Sequence, residues 1–148
     1  MTAASFQLLA GATAAGLIRQ QGFHHSLFNT LLGASGGPKW FVLSGLDQYL
    51  AGQFFAGRKQ PVSSLGSSIG SWRHICYAQQ QPASAIARLQ EAYIHQFYTE
   101  QPTPTAISRV ARETLRHALG SSGISEVCTN PVWQTHVLAV RSRTATAS

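Results

Sequence analysis

Hydrophobic residues fall along the chain in two rhythms. Short runs bounded by glycine or proline alternate with longer stretches in which apolar positions return every three or four residues. Three runs read as strands: "HSLFNTLLG" (25–33), "PVSSL" (61–65) and "VWQTHVLAVR" (132–141). Between them the helical period dominates. Residues 8–20 predict an Ala-rich helix loosened by Gly11 and Gly16. Pro38 fits the first turn of a second helix, with Val42, Leu46, Tyr49 and Leu50 as its apolar stripe, fading around Gly52 to Gly57. A third runs from about Ser71 to Gln79. Residues 83–99 carry the stripe Ile86, Leu89, Tyr93 and Phe97. Thr103-Pro104 caps a fifth helix, with core face Ile107, Val110, Ala111, Leu115 and Leu119 and Gly120 as its stop. The tail "SRTATAS" has no pattern.

Strands separated by helices predict an α/β fold with a parallel-dominated sheet flanked by helices. There is no internal repeat and no low-complexity linker. The pattern stops on a strand, so the sheet looks unfinished.

Composition narrows the class. At 148 residues the chain has the length of one domain and can bury roughly 70% of its unfolded surface. Hydrophobic residues are 44% of it and charged residues 11%, against a usual share of about 25%. The formal charge of +6 would suit an anionic partner. The basic residues are scattered, however, with Arg109, Arg112 and Arg116 the sole helical cluster, and no RNA-binding, zinc-finger or lysine-tail pattern exists. Nucleic acid is not expected as a partner. Cys76 and Cys128 are too few for a disulfide scaffold. The N-terminus has no basic region before its apolar part, and no run approaches the ~18 apolar residues of a membrane span. The expected location is the cytoplasm.

Two turns carry chemistry. "SSLGSSIGSW" holds Gly66-Ser67-Ser68-Ile69-Gly70, the G-x-S-x-G pattern, between a β-prone run and a helix. In such an elbow the serine sits on a strained strand-to-helix turn, flanked by glycines because neighbouring backbone passes close. The following helix points its N–H groups and positive dipole end at the serine. Alone, the stretch also fits a plain Gly/Ser connector. The second turn, "LLGASGGPKW", follows the preceding strand and puts Gly36, Gly37 and Lys39 at a helix start, where backbone N–H groups can face an oxyanion. A phosphate loop would need Gly-Lys-Ser/Thr, whereas Pro38 precedes Lys39 and Trp40 follows it. No nucleotide cofactor and no metal are expected.

These two turns, in this order, resemble the patatin-like phospholipase family, in a bacterial-type branch. The likeness extends more loosely through "ARLQEAYIHQFY" to "THVLAVRSR". It implies that Ser68 is the nucleophile, that Gly36 and Gly37 form the oxyanion loop, and that Lys39 is its basic residue. It implies hydrolysis of a lipid acyl ester through an acyl-serine intermediate. The family's base is an aspartate in a later Asp-Gly-Gly/Ala motif, and this sequence has none. Its single aspartate, Asp47, reads as a solvated helix residue off the apolar stripe. His74 is expected to point away from Ser68, His95 and His117 to lie on the surface, and none of His24, His25 or His136 is assigned as base.

The chain is therefore expected to be the N-terminal portion of a longer catalytic domain, with a short paralogue lacking competent catalysis as the other reading. The rival function is a non-catalytic half-domain that binds a lipid or a protein. Trp40, Phe41, Trp72 and Trp133 are expected in the core or a pocket wall. The three arginines could instead meet anionic lipid head groups in a transient membrane contact. The oligomeric state is left open.

Overall fold

The structure, a computed structural model, describes residues 7–97 and 101–141. Its sheet has three parallel strands in the order β1 (Thr30–Gly33), β2 (Val62–Ser67), β3 (Trp133–Leu138). The register sets Gly33 opposite Gly66 and Ser67 opposite Leu138. Parallel pairing requires a crossover between neighbours. The first comprises a 3-10 turn (Gly37–Leu43), α2 (Ser44–Tyr49) and a π turn (Leu50–Phe54). The second comprises α3 (Ile69–Tyr77), α4 (Pro82–Ile94), α5 (Pro104–Leu119) and α6 (Gly123–Thr129). An N-terminal helix, α1 (Ala12–Gln21), buries no residue. The α/β class with helices around a parallel sheet is as expected from the alternation.

The core lies between the sheet and α3–α4, around Val62, Cys76, Ile86 and Leu89, all fully buried. Burying side chains of that size contributes roughly 1.5–3 kcal/mol each. Trp40 and Trp133 are also buried, and Trp72 and Phe41 pack partly buried against the same cluster. Thr103 caps α5 as expected, its hydroxyl accepting from the Ala106 N–H at 3.2 Å, and Gly120 ends that helix at φ 62°.

Four expectations need correction. The first strand is only Thr30–Gly33; His25–Leu27 forms a 3-10 turn, with the Ser26 N–H donating to Nδ1 of His24. In the second helix Val42 is 87% exposed, while Ser44 and Asp47 are buried. The cause is local geometry: a 3-10 turn at three residues per turn precedes six α residues and a π turn, so no 3.6-residue stripe holds phase. Helix α4 ends at Ile94, which leaves Phe97 81% exposed; 98 and 99 lie outside the described residues, as does the tail from 142. On α5, Thr114 and Ala118 lie deepest and Ile107 is exposed. The Thr114 hydroxyl can be buried there because it bonds the Val110 carbonyl and Gln96. The short α6 had no periodic signal in seven residues.

Candidate active site

Strand β2 ends at Ser67 and α3 begins at Ile69, so Ser68 is the entire joint between them. Its backbone sits at φ 53°, ψ −128°, and it is the one non-glycine residue with positive φ among the described residues. A residue held there costs on the order of 1–3 kcal/mol, which the surrounding packing must offset. That packing is visible. A Cβ on Gly66 would lie 2.5 Å from the N and Cα of Ser71, and one on Gly70 would run into the carbonyl of Gly33. Both elbow glycines are thus required by backbone crossing at contact distance. Ser68 is exposed at the amino end of α3, where the Ile69 and Gly70 N–H groups have no intrahelical acceptor. The dipole of this helix favours negative charge at that point.

The glycine turn lies beside the elbow. Gly33 pairs with Gly66, Gly70 backs onto Gly33 and Ala34, and the hydroxyls of Ser35 and Ser67 are hydrogen-bonded at 2.9 Å. Gly37 has φ 52°, which favours glycine. Gly36 is extended, and a Cβ at either position would meet nothing within 4 Å. The Lys39 N–H donates to the Gly36 carbonyl at 3.2 Å, and the Lys39 side chain is exposed.

Asp47 corrects the sequence reading. It is fully buried, not solvated. Arg73 donates to it twice, Nε to Oδ2 at 2.7 Å and Nη2 to Oδ1 at 2.6 Å, and the Tyr77 hydroxyl donates to Oδ1 at 2.6 Å. Hydrogen bonding to Asp47 raises the Arg73 pKa, and burial with the adjacent carboxylate raises that of Tyr77. A buried charge is tolerable when its lone pairs are satisfied in this way. The cluster fixes the helix after the glycine turn to the helix after Ser68. The available signal was Arg73 and Tyr77 four apart on one helix face, with no partner in sequence.

A base for Ser68 is another matter. Asp47 is committed to Arg73 and Tyr77, Glu113 pairs with Arg109, Glu126 bonds Ser122 and Gln80, and Glu91 faces His117. His74 is buried with Nδ1 unpartnered, its Cε1 lying against Gly33 under the end of β1. Burial, and then Arg73, push its pKa down to about 4. His24, His95, His117 and His136 are exposed, and His25 is half-buried. Among the described residues, none of these groups hydrogen-bonds the Ser68 hydroxyl, and no cluster of three metal-ligating side chains occurs.

Two hollows open beside Ser68 on either side of Trp72. One, about 100 Å3, is lined by Ser68, Ile69, Trp72 and Tyr93. The other, about 300 Å3, is lined by Ser68, Ser71, Trp72, Ile75, Leu115, Val137 and Leu138. No helix of the described residues is long and apolar enough to cross a membrane. No protein-family model, curated protein or solved structure matches the chain.

Proposed function

We propose that the chain is a serine acyl hydrolase of patatin-like type acting on lipid esters. Ser68 Oγ attacks the ester carbonyl, the Gly36 and Gly37 N–H groups hold the oxyanion, and the alcohol leaves with the proton taken from Ser68. Water then hydrolyses the acyl-serine. The observation that carries this reading is the strained φ of Ser68 at the single residue joining β2 to α3. Nothing in packing alone calls for a serine there, and an exposed hydroxyl over a free helix terminus is what acyl transfer requires.

On this reading the sheet is part of a larger patatin-like sheet. The protein works in the cytoplasm, with Arg109, Arg112 and Arg116, all exposed on α5, touching anionic membrane transiently. Hydrolysis of a phospholipid and a neutral acyl ester by wild type, Ser68→Ala and Gly37→Ala tests the proposal. Ser68→Ala is expected to fall to background, and Gly37→Ala, which keeps its N–H but is strained at φ 52°, to lose less activity than removal of an oxyanion donor would cost. Equal activity in wild type and Ser68→Ala would overturn it.

A second reading, a non-catalytic lipid-binding half-domain, is favoured by one observation: the described carboxylates are engaged away from Ser68. Lipid binding retained in Ser68→Ala, with no turnover in either form, would decide for it.

A further inference from the structure

At the opposite end of the sheet from Ser68, where β2 and β3 begin, a hollow of about 520 Å3 opens between the loop after the π turn, the amino end of α4 and the start of β3. It is larger than either hollow at the elbow and lies within the roughly 300–1,000 Å3 of small-molecule sites. Arg58 lines it and is only 7% exposed. Its Nε donates to the Gln60 carbonyl at 2.8 Å, its Nη2 to the Pro61 carbonyl at 3.2 Å and its Nη1 to the His25 carbonyl. A guanidinium has five N–H donors and stays charged, so one N–H on each Nη is left over. Carbonyl dipoles do not neutralise that charge, and among the described residues no carboxylate pairs with Arg58. A buried cation in that state is costly unless an anion meets it.

A second, independent feature lies in the same wall. Helix α4, 13 residues long, starts at Pro82 with no side-chain cap, and Gln81, Pro82 and Ala83 all line the hollow. The first N–H of this helix to find an acceptor is that of Ala85, on the Gln81 carbonyl, which leaves the N–H groups of Ala83 and Ser84 free. The positive dipole end of α4 therefore meets the same space as Arg58. Phe55 and Trp133 supply an aromatic wall. Glu126, which accepts from the Gln80 N–H and the Ser122 hydroxyl, is not part of the lining. We infer that this hollow binds a small organic phosphate, with the phosphate between Arg58 and the amino end of α4 and the organic part against Phe55 and Trp133. Two separate donor groups suit the three terminal oxygens of a phosphate better than a planar carboxylate. The inference stands apart from the acyl-hydrolase reading, because the site is at the far end of the sheet and its ligand is held there without being turned over.

Calorimetric titration of the whole chain with phenyl phosphate, inorganic phosphate, benzoate and phenol tests this. The expected result is one phenyl phosphate per chain, bound at least tenfold tighter than each of the other three and more weakly as salt is raised. Gln81 is exposed at the start of α4, so Gln81→Glu sets a negative charge at the rim without touching the core and should weaken phenyl phosphate at least threefold. Arg58→Gln, which gives up the cation, should abolish binding. If that variant does not fold, Gln81→Glu and the salt series decide. No saturable binding of phenyl phosphate, or an affinity unchanged in Gln81→Glu, overturns the inference. Benzoate or phenol bound as tightly as phenyl phosphate would overturn the choice of phosphate, and inorganic phosphate bound as tightly would overturn the choice of an organic one.

Discussion

Arg73 closes Nε and Nη2 on the carboxylate of Asp47, at 2.7 and 2.6 Å, in a place where Asp47 has no exposure to water. The pair ties α2 to α3 and thereby relates the helix that follows the glycine turn to the helix that carries the serine elbow. Removing the acid leaves a largely buried guanidinium unpaired, so Asp47→Ala should cost about 3–5 kcal/mol. Tyr77→Phe, which removes one bond to a charged group, should cost about 1.5–3 kcal/mol. Chemical denaturation of the two single variants and the double variant measures this. Simple additivity would argue against a shared cluster.

Ser68 should be a residue at which stability and reactivity oppose each other. Glycine accepts φ 53° freely, so Ser68→Gly should gain about 0.5–2 kcal/mol, after the larger unfolded-state freedom of glycine is counted. For a chain of this size that is a rise in Tm of roughly 2–4 °C per kcal/mol. Calorimetry beside Ser68→Ala checks it. A Ser68→Gly variant less stable than Ser68→Ala would show that the elbow is not strained.

Two glycines only 25 positions apart in sequence should respond in opposite ways. Gly70→Ala drives a methyl into the Gly33 carbonyl, and relief must come from backbone movement between β1 and α3. A loss of about 1–3 kcal/mol or more is expected. Gly45→Ala, in α2 with nothing within 4 Å of the new methyl, should gain about 0.5–1 kcal/mol. Urea midpoints of the two variants decide the matter; similar shifts would contradict the crossing geometry.

His74 should make the fold acid-sensitive. Its pKa falls from 6.5 to about 4 on folding, so between those values the unfolded chain binds a proton that the folded chain refuses. Stability is then complete above pH 6.5 and declines as pH falls toward 4, by at most about 1.4 kcal/mol per unit. His74→Gln should flatten this slope in a series of urea melts. An unchanged slope in that variant would assign the acid sensitivity elsewhere.

Much of the fold was legible because its signals are local. Ile86 and Leu89 return at helical period, Thr103 and Pro104 start a helix, and Gly66 and Gly70 bracket a serine between strand and helix. Those features survive because the segments that carry them are regular. The second helix was misread because its pitch changes twice within 18 residues, from 3-10 to α to π, so that Val42 faces water and Asp47 the interior. The role of Asp47 could not be seen at all from its own helix. Its partners Arg73 and Tyr77 are 26 and 30 residues away, and burial of an acid depends on them. The cleft beside Ser68 was likewise hidden, since Leu115, Val137 and Ser71 come together only through the crossover from β2 to β3.

The most direct measurement is fluorophosphonate labelling of the folded chain, with the adduct located by mass spectrometry. A single adduct on Ser68, absent from Ser68→Ala and from heat-unfolded protein, is the predicted result. A folded sample that stays unlabelled, or one that is modified at Ser35, Ser67 or Ser71 instead, would contradict the assignment of Ser68 as the nucleophile.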